Sequence, residues 1–511
     1  MPVAWTPATP SGRPCSSWAG RWIEMCPFPG RRMLELLSRD DMEAIHLASL
    51  QLLEEKGVIV KNEEALKILR KGGCEVDETK KIAKIPEHIV KECLSKAPSV
   101  IRLYSRDGKH DAIVGKDNVI YDPGSAAIFV LDRETGRVRE PLAKDFADFV
   151  RLADALEYIH AQSTAMIPAD VDKRIADLYR LYIVLKNSTK PIVTGAFTKE
   201  GLHDMVKMLS VVAGTEAGKK PMAIFDVCPS APLMWSDITC QNLIDCAKYK
   251  VPAEIVSMPQ VGATGPITLA GSLAQLNAEE LSAIVISQLT NPGAPIIYGG
   301  SPTTFDMRYA TPRLGAIETV MLCCAYAQMG KFYGLPTHAY LGLSDSKTID
   351  AQAGFETAAG IILGTLAGVN VISGPGMLVS ESCQSFEKLV IDNEICGMAL
   401  RLAKGVEVDA DTLAIDVMRK VCPGGHYLAE KHTREWLRKE IFMPSPVVDR
   451  LSLDGWRRAG AKDIVARAKE RVNELLAKHE PEPLPPDVER DLRALLEDVM
   501  KRYGIEKVPV L

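Results

Sequence analysis

The sequence predicts an α/β protein, a TIM (β/α)8 barrel with an N-terminal helical cap and a C-terminal helical extension. Eight short runs of β-type residues lie between positions 119 and 372, each followed by a longer helical stretch. They recur about every 36 residues, close to the ~30 or more that a βαβ crossover needs. Most of the runs carry few polar residues and little period-2 alternation, as parallel strands covered on both faces should. A length of 511 residues accommodates a barrel of ~250 residues with flanking parts on either side.

Taken in order, residues 1–33 mix Pro, Trp, Ser, Cys and Arg without the apolar run of a signal peptide. They are expected to be a disordered tail, or to lie upstream of the true start. Residues 34–114 form the helical cap. Ser38 can cap a first helix in which Asp40 and Asp41 suit the positive N-terminal end and Met42, Ile45, Ala48 and Leu52 recur at helical spacing, ending at Gly57. A second helix runs from Asn62 to Lys71 before Gly72-Gly73, and a third from Pro86 to Ala97.

The barrel spans residues 115–404, with strands expected at Val119–Tyr121, Ile159–Ala161, Pro191–Val193, Met222–Phe225, Glu254–Val256, Pro295–Tyr298, Thr337–Tyr340 and Val369–Ile372. A hairpin from Ile128 to Arg137, turning at Thr135-Gly136, interrupts the first unit. The extension covers 405–511; a helix from Lys462 to Lys478 is its clearest element, and a proline-rich linker from Pro481 to Pro486 precedes a last helix, Asp487 to Tyr503.

Composition narrows the function classes. Hydrophobic residues make up 47% and charged ones 25%, which excludes disordered and collagen-like chains. A net charge of −5 and a 6% aromatic fraction give no basic or stacking surface for nucleic acid. No apolar run reaches the ~18–20 residues of a membrane span, because Asn277, Glu279 and Glu280 interrupt the best stretch, so a cytoplasmic protein is expected. The 12 cysteines include no C-x-x-C pair, which leaves a zinc ribbon or redox dithiol unsupported and suits buried thiols in a reducing compartment.

In such a barrel the reactive groups stand at the C-terminal ends of the strands. That rule nominates Asp122, Ser125, Gln162, Thr164, Thr194, Asp226, Ser257, Met258, Tyr298, Thr303, Phe305, His338 and Tyr340, with glycines 299, 300, 374 and 376 where backbone can approach a ligand. The stretch Thr337–Glu356 sets Asp345, Lys347, Asp350 and Gln352 directly after the seventh strand, with Asp350 as a helix cap. The plainer alternative is that Asp350 only caps and Lys347 only faces water. His426, Glu430 and His432 are close in sequence but lack the H-E-x-x-H order, which favours a structural or interface role and leaves no metal site expected. The loop Gly262–Gly271 is glycine-rich but lacks the P-loop and dinucleotide spacings, and is read as a barrel loop entering a helix.

Several stretches, in one order, resemble the trimethylamine methyltransferase superfamily of corrinoid-dependent methyltransferases. They are Gly72-Gly-Cys-Glu-Val, Cys228-Pro-Ser-Ala-Pro-Leu, Leu289-Thr-Asn-Pro-Gly-Ala, Ser301-Pro-Thr-Thr-Phe-Asp, Phe332-Tyr-Gly-Leu-Pro, Ser344-Asp-Ser-Lys through Gln352-Ala-Gly, and Leu389-Val-Ile-Asp-Asn. The resemblance runs from about Leu34 to the C-terminus and implies a TIM barrel with helical additions. The trimethylamine enzymes carry pyrrolysine just before the Ser-Asp-x-Lys stretch, where this chain has Leu343. Pyrrolysine is an electrophilic imine thought to capture an amine lone pair; leucine offers no electrophile. A quaternary amine has no lone pair to capture and already carries the charge that makes a neutral tertiary amine a good leaving group. The chain therefore resembles the non-pyrrolysine members, which include enzymes for glycine betaine and related quaternary amines.

That resemblance implies methyl transfer from a quaternary amine to Co(I) of a separate corrinoid protein docking at the barrel mouth. No corrinoid is expected to be bound tightly here, because the D-x-H-x-x-G pattern of carrier modules is absent. An ammonium bearing N-methyl groups is best held by aromatic faces, at ~0.5–2 kcal/mol each, and by carboxylates. Tyr298, Phe305, Tyr340, Asp345 and Glu356 are the candidates, with Gln352 beside them, and His338, Lys347 or Arg313 could take a substrate carboxylate. Three other readings stand: a trimethylamine methyltransferase-like enzyme, a Schiff-base lyase using a desolvated Lys347, and a non-catalytic quaternary-amine binding protein. The long terminal helices suggest a homo-oligomer.

Overall fold

A computed structural model describes residues 34–509. The expected tail of 1–33, with Cys15 and Cys26, lies outside the described residues. The eight strands are β1 (Ile120–Asp122), β2 (Gln162–Ser163), β3 (Ile192–Gly195), β4 (Ala223–Val227), β5 (Ala253–Ile255), β6 (Ile296–Ile297), β7 (His338–Tyr340) and β8 (Val371–Ser373). Pairing is parallel and in sequence order from β2 to β6, and from β7 through β8 to β1. A parallel bridge between Tyr298 and Thr337 joins β6 to β7. The Ala161 N–H donates to the Tyr121 carbonyl at 3.1 Å beside β1 and β2, so the ring closes as a barrel. The second strand starts at Gln162, just after the expected Ile159–Ala161.

Each strand leads to a helix packed outside: α1 (Ala143–Ala155), α2 (Ala176–Asn187), α3 (Lys199–Ala213), α4 (Asp237–Tyr249), α5 (Leu269–Thr290), α6 (Ile317–Phe332), α7 (Ala351–Leu366) and α8 (Phe386–Lys404). Helix α5 is the 22-residue segment whose polar residues break the near-membrane run. Asn277, Glu279 and Glu280 are all buried, because the helix lies between the barrel and the cap and has no solvent face. Asn277 donates to Ser49 of the cap at 2.8 Å.

The cap is less helical than expected. Helices Arg39–Glu55, Glu63–Lys71 and Glu87–Lys96 alternate with strands Val58–Val60, Glu75–Asp77 and Ile82–Lys84, which join Met234–Trp235 in one sheet. Three-residue strands are too short to show a period in the sequence. A further hairpin, Val100–Leu103 with Ala112–Gly115, enters the N-terminal end of the barrel. Its Ile101, Leu103, Ala112 and Val114 pack on Ile120, Ala161, Val193, Ile224, Ile297 and Val371, one inward residue from each of six strand positions. This apolar floor closes the bottom and fixes which residues of each strand point inward.

At the other end two small sheets rim the mouth. One is Gln260–Val261, Thr303–Asp306 and Thr311–Arg313; the other combines Phe129–Leu131 and Val138–Arg139 with Met377–Leu378 and Cys383–Gln384. In the extension, helix Ile464–Lys478 packs on α1 and α8 and helix Pro486–Tyr503 packs on α2 and α3. Helices Ile415–Val421, Lys431–Glu440 and Leu453–Arg458 between them bury no residue. There Glu430 pairs with Lys420 at 2.8 Å, and the His432 ring stacks on Trp436. Among the described residues no helix is long and apolar enough to cross a membrane.

Candidate active site at the barrel mouth

Strand side chains alternate between faces, so the residue two places above each floor residue also points inward. Counting up from Ile120, Ala161, Val193, Ile224 and Val371 gives Asp122, Ser163, Gly195, Asp226 and Ser373. The registers Glu254 to Ile297, His338 to Val371 and Tyr340 to Ser373 add three more inward residues. The layer above the apolar floor is therefore acidic, with one imidazole and one phenol among the carboxyls.

Asp122, Ser373 and His338 form one buried hydrogen-bonded row, with Glu254 beside its end. Ser373 Oγ lies 2.5 Å from Asp122 Oδ1 and 3.1 Å from His338 Nε2, and His338 Nδ1 is 3.2 Å from Glu254 Oε1. Burial pushes the His338 imidazole down to about 3, so the ring is neutral. Ser373 spends its proton on Asp122 and accepts from Nε2–H, which leaves Nδ1 a bare lone pair. Glu254 Oε1 lies beside it without hydrogen-bond geometry, so both atoms remain unpartnered. Burial and the neighbouring Asp226 push Glu254 well above the usual carboxyl range, consistent with a protonated acid.

Burial also raises Asp122 to about 7, against the opposing hydrogen bonds from Ser373 and the Gly124 N–H. It raises Asp226 to about 6, although Glu254, Arg180 and Tyr340 pull the other way. Glu381 reaches the same region from the loop after β8 and is lifted by burial to about 7, with Ser301 Oγ donating to it at 3.0 Å. Val379, Ser380 and Glu381 all have positive φ, of 55°, 51° and 70°. Three successive non-glycine residues in that region hold about 1–3 kcal/mol of strain each, a feature that concentrates at ligand sites.

Above the acids lies an apolar wall of Ala127, Val256, Leu314, Tyr340, Leu343 and Met377, with Cys228 against it. Its members come from loops after five different strands. Leu343 is 2% exposed and sits within this wall. Tyr340 belongs to both layers, its ring standing edge-on to His338 at 5.0 Å.

The remaining sequence candidates fall elsewhere, for reasons of strand parity and loop geometry. Tyr298 follows the inward Ile297, so it faces outward: its hydroxyl donates to Asn277 of α5 at 2.8 Å and its ring packs on Tyr326 and Tyr333. Phe305 is in the rim strand Thr303–Asp306, paired with Pro312. Arg313 is engaged with Asp306 at 3.7 Å. Asp345 is a loop clamp, accepting from the Leu314 N–H at 3.1 Å, the Gly315 N–H at 3.0 Å and Ser380 Oγ at 2.6 Å. Glu356 accepts from Ser344 Oγ and the Asp345 N–H, and Gln352 is exposed and donates to Glu356. Asp350 caps α7, its carboxylate accepting from the Ala353 N–H.

Lys347 is exposed, and its ammonium donates to the Asp345 carbonyl at 2.7 Å. A Schiff-base nucleophile must be desolvated, so the lyase reading loses its residue. Buried Lys190 sits at the opposite end of the barrel, donating to the carbonyls of Ala153, Leu156 and Ile159, and buried Lys388 is paired with Asp392.

Sequence reasoning missed Glu254, Glu381 and Arg180. Arg180, on α2, is 1% exposed; its Nη2 donates to the Thr164 carbonyl and its guanidinium carbon lies 5.4 Å from the Phe197 ring centre. A charge in a ten-residue buried stretch of helix, or inside an apolar strand, was the available signal for Arg180 and Glu254.

Fold and site together define a (β/α)8-barrel protein with its ionisable groups gathered at the strand ends. A family model described as trimethylamine methyltransferase (MTTB) matches residues 20–503, and the chain belongs to that family of methyltransferases. The match reaches back into the N-terminal stretch that composition set apart. The chain is 34% identical to a glycine betaine methyltransferase of Desulfitobacterium hafniense, over 92% of this chain and 98% of that one. It is 33% identical to trimethylamine methyltransferase MttB of the same species and 35% identical to MttB of Methanosarcina barkeri, covering 92% of this chain in each case and 95% and 96% of theirs. Among solved structures, the monomethylamine methyltransferase MtmB of Methanosarcina barkeri aligns with a TM-score of 0.49 at 12% identity, covering 86% of this chain and 93% of that one.

Proposed function

We propose that this protein transfers a methyl group from a quaternary amine, glycine betaine or a close relative, to the Co(I) corrinoid of a separate carrier protein. The observation that carries the reading is Leu343: an aliphatic side chain in the wall of the mouth, above an acid-lined interior, at the position that the resemblance assigns to pyrrolysine. Without an electrophile to capture a lone pair, the amine must arrive already fourfold alkylated. In the transfer the new bond forms from the cobalt electron pair to the methyl carbon. The C–N bond breaks in line, and its electrons stay on nitrogen, so the amine leaves neutral.

The protein's residues bind, align and exclude water. Asp226, Asp122 and Glu381 supply negative charge to the ammonium, and Tyr340 offers the aromatic face in this layer. Their raised pKa values serve the second half of the reaction as well. Once the nitrogen is neutral the carboxylates lose their counter-charge, and groups titrating near 6 to 7 take up a proton at neutral pH instead of holding the product site open as bare charge. The apolar wall above gives the methyl carbon a dry path to the carrier, which docks over the mouth and leaves after each transfer.

The test is to mix the protein with its carrier, reduced to Co(I), and screen glycine betaine, proline betaine, carnitine, butyrobetaine, choline and trimethylamine for methylation of cobalt. One of the quaternary amines should react and trimethylamine should not. Preference for trimethylamine would overturn the reading, and tight amine binding without methyl transfer would favour a non-catalytic binding protein.

A further inference from the structure

The mouth contains a buried cation as well as buried acids, and a plain ammonium site has no use for one. Arg180 stands where the ends of β2 and β3 meet. Its Nη2 donates to the Thr164 carbonyl just past β2, and the Phe197 ring, just past β3, covers its guanidinium. Asp226 pairs in register with Gly195, two residues before Phe197, which sets the guanidinium beside the interior layer, and its charge lowers the Asp226 pKa. Burial brings the Arg180 pKa down to about 10, so the group remains charged at neutral pH.

This guanidinium is incompletely paired. Nε and Nη1 are buried and have no hydrogen-bond partner. The neighbouring Asp177 Oδ1 is 3.9 Å from Nη1, beyond hydrogen-bond reach, and is itself unpartnered. Asp177 Oδ2 is committed to the Phe197 N–H at 2.6 Å, and burial raises the Asp177 pKa, which weakens it further as a counter-ion. Leaving charged donors buried without acceptors is costly, and such groups in a folded protein mark the place of a missing acceptor. A guanidinium with open donors on both edges matches a carboxylate better than any other small anion-bearing group an amine substrate carries.

We infer that Arg180 binds the carboxylate of a zwitterionic methyl donor whose ammonium rests against Asp226 and Glu381, so that the enzyme selects betaines over carboxylate-free quaternary amines. The inference rests on the quaternary-amine reading above and narrows it. Arg180 replaces His338, Lys347 and Arg313 in this role: the first is neutral and engaged with Ser373, the second is exposed, and the third stands on the rim strand with its side chain 40% exposed.

Calorimetric titration of the full-length protein with glycine betaine, butyrobetaine and choline tests this without any cobalt chemistry. The wild type should prefer at least one of the two betaines to choline by tenfold or more. In Arg180→Met that betaine should lose about a hundredfold in affinity, while choline binds no more weakly, because a like charge has been removed from its surroundings. Arg180→Lys should fall between the two, and choline binding by either variant reports that the mouth is still folded. Equal losses for betaine and choline would make Arg180 structural and overturn the inference, as would a wild type that prefers choline, which would leave the quaternary-amine reading intact. Failure of the wild type to bind any quaternary amine would overturn both.

Discussion

If the acids of the interior layer hold the ammonium, binding must be linked to their protonation, and the sign and size of the linkage follow from the structure. Asp226 titrates at about 6 because burial disfavours its charged form. A cation favours that form, so binding lowers the pKa and releases a proton whenever the site starts protonated. A unit charge about 5 Å away, at an effective dielectric near 20, is worth about 3 kcal/mol. That equals roughly two pKa units, which takes Asp226 from about 6 to about 4 in the complex. Affinity is then fully developed above about pH 7 and falls about tenfold between pH 8 and pH 5 from this carboxyl alone. Asp122 and Glu381, at about 7, move the upper edge of the fall toward neutrality and steepen it. Isothermal titration of the preferred quaternary amine at pH 5 to 8, in buffers of different ionisation enthalpy, reads both the affinity and the protons released. Asp226→Asn should remove about tenfold from the pH dependence. An affinity that is flat from pH 8 to pH 5, with heats that do not depend on the buffer, would show that the ammonium does not lie against these carboxyls.

Three further outcomes follow. Asp226 carries a raised folded-state pKa, so its burial costs nothing below its ordinary value near 3.8, and the cost grows through pH 4 to 6 and is complete above. Asp226→Asn should therefore stabilise the ligand-free protein by of order 1–3 kcal/mol at pH 8 and leave it unchanged near pH 4, as read by urea denaturation. Asp345→Ala strands the Leu314 and Gly315 N–H groups and the Ser380 hydroxyl, and should lower stability by about 2–4 kcal/mol while raising KM through the loosened mouth loops; an unchanged melting temperature would contradict the clamp. Lys347→Ala should stay within about 0.5 kcal/mol of wild-type stability and keep its methyl-transfer rate, and borohydride with a carbonyl compound should give no adduct at this lysine.

Much of the scaffold was legible in the sequence, because the β-α rhythm needs only local apolar runs. The strand-end rule also reached Asp122, Asp226, His338 and Tyr340, four of the groups in the interior layer. It could not tell them from Tyr298, because parallel strands buried on both faces carry no alternation to show which residues point inward. That parity became visible only with the hairpin Val100–Gly115, whose contacts identify the floor residues from which the count begins. The polar stretch after β7 shows the opposite case. Asp345 and Glu356 look like chemistry in a linear reading, yet each accepts from backbone N–H groups, as Asp350 does in the capping role expected of it.

Two groups that escaped the sequence reading and one that it reached share a property that ties the site together. Glu254, Arg180 and Asp226 each hold buried polar atoms without a protein partner, although the protein elsewhere satisfies comparable burdens, as at Lys190 with its three carbonyls. Unmatched charges of both signs, gathered beneath a wall of leucine, methionine and tyrosine, cost the empty protein stability that a rearranged hydrogen bond could recover. They are tolerated where a ligand completes them. A ligand that brings a positive end for the acids, a negative end for the guanidinium and a methyl group for the dry wall answers all three demands at once. A neutral or purely cationic amine would leave Arg180 as exposed to its own desolvation penalty as it is in the empty barrel.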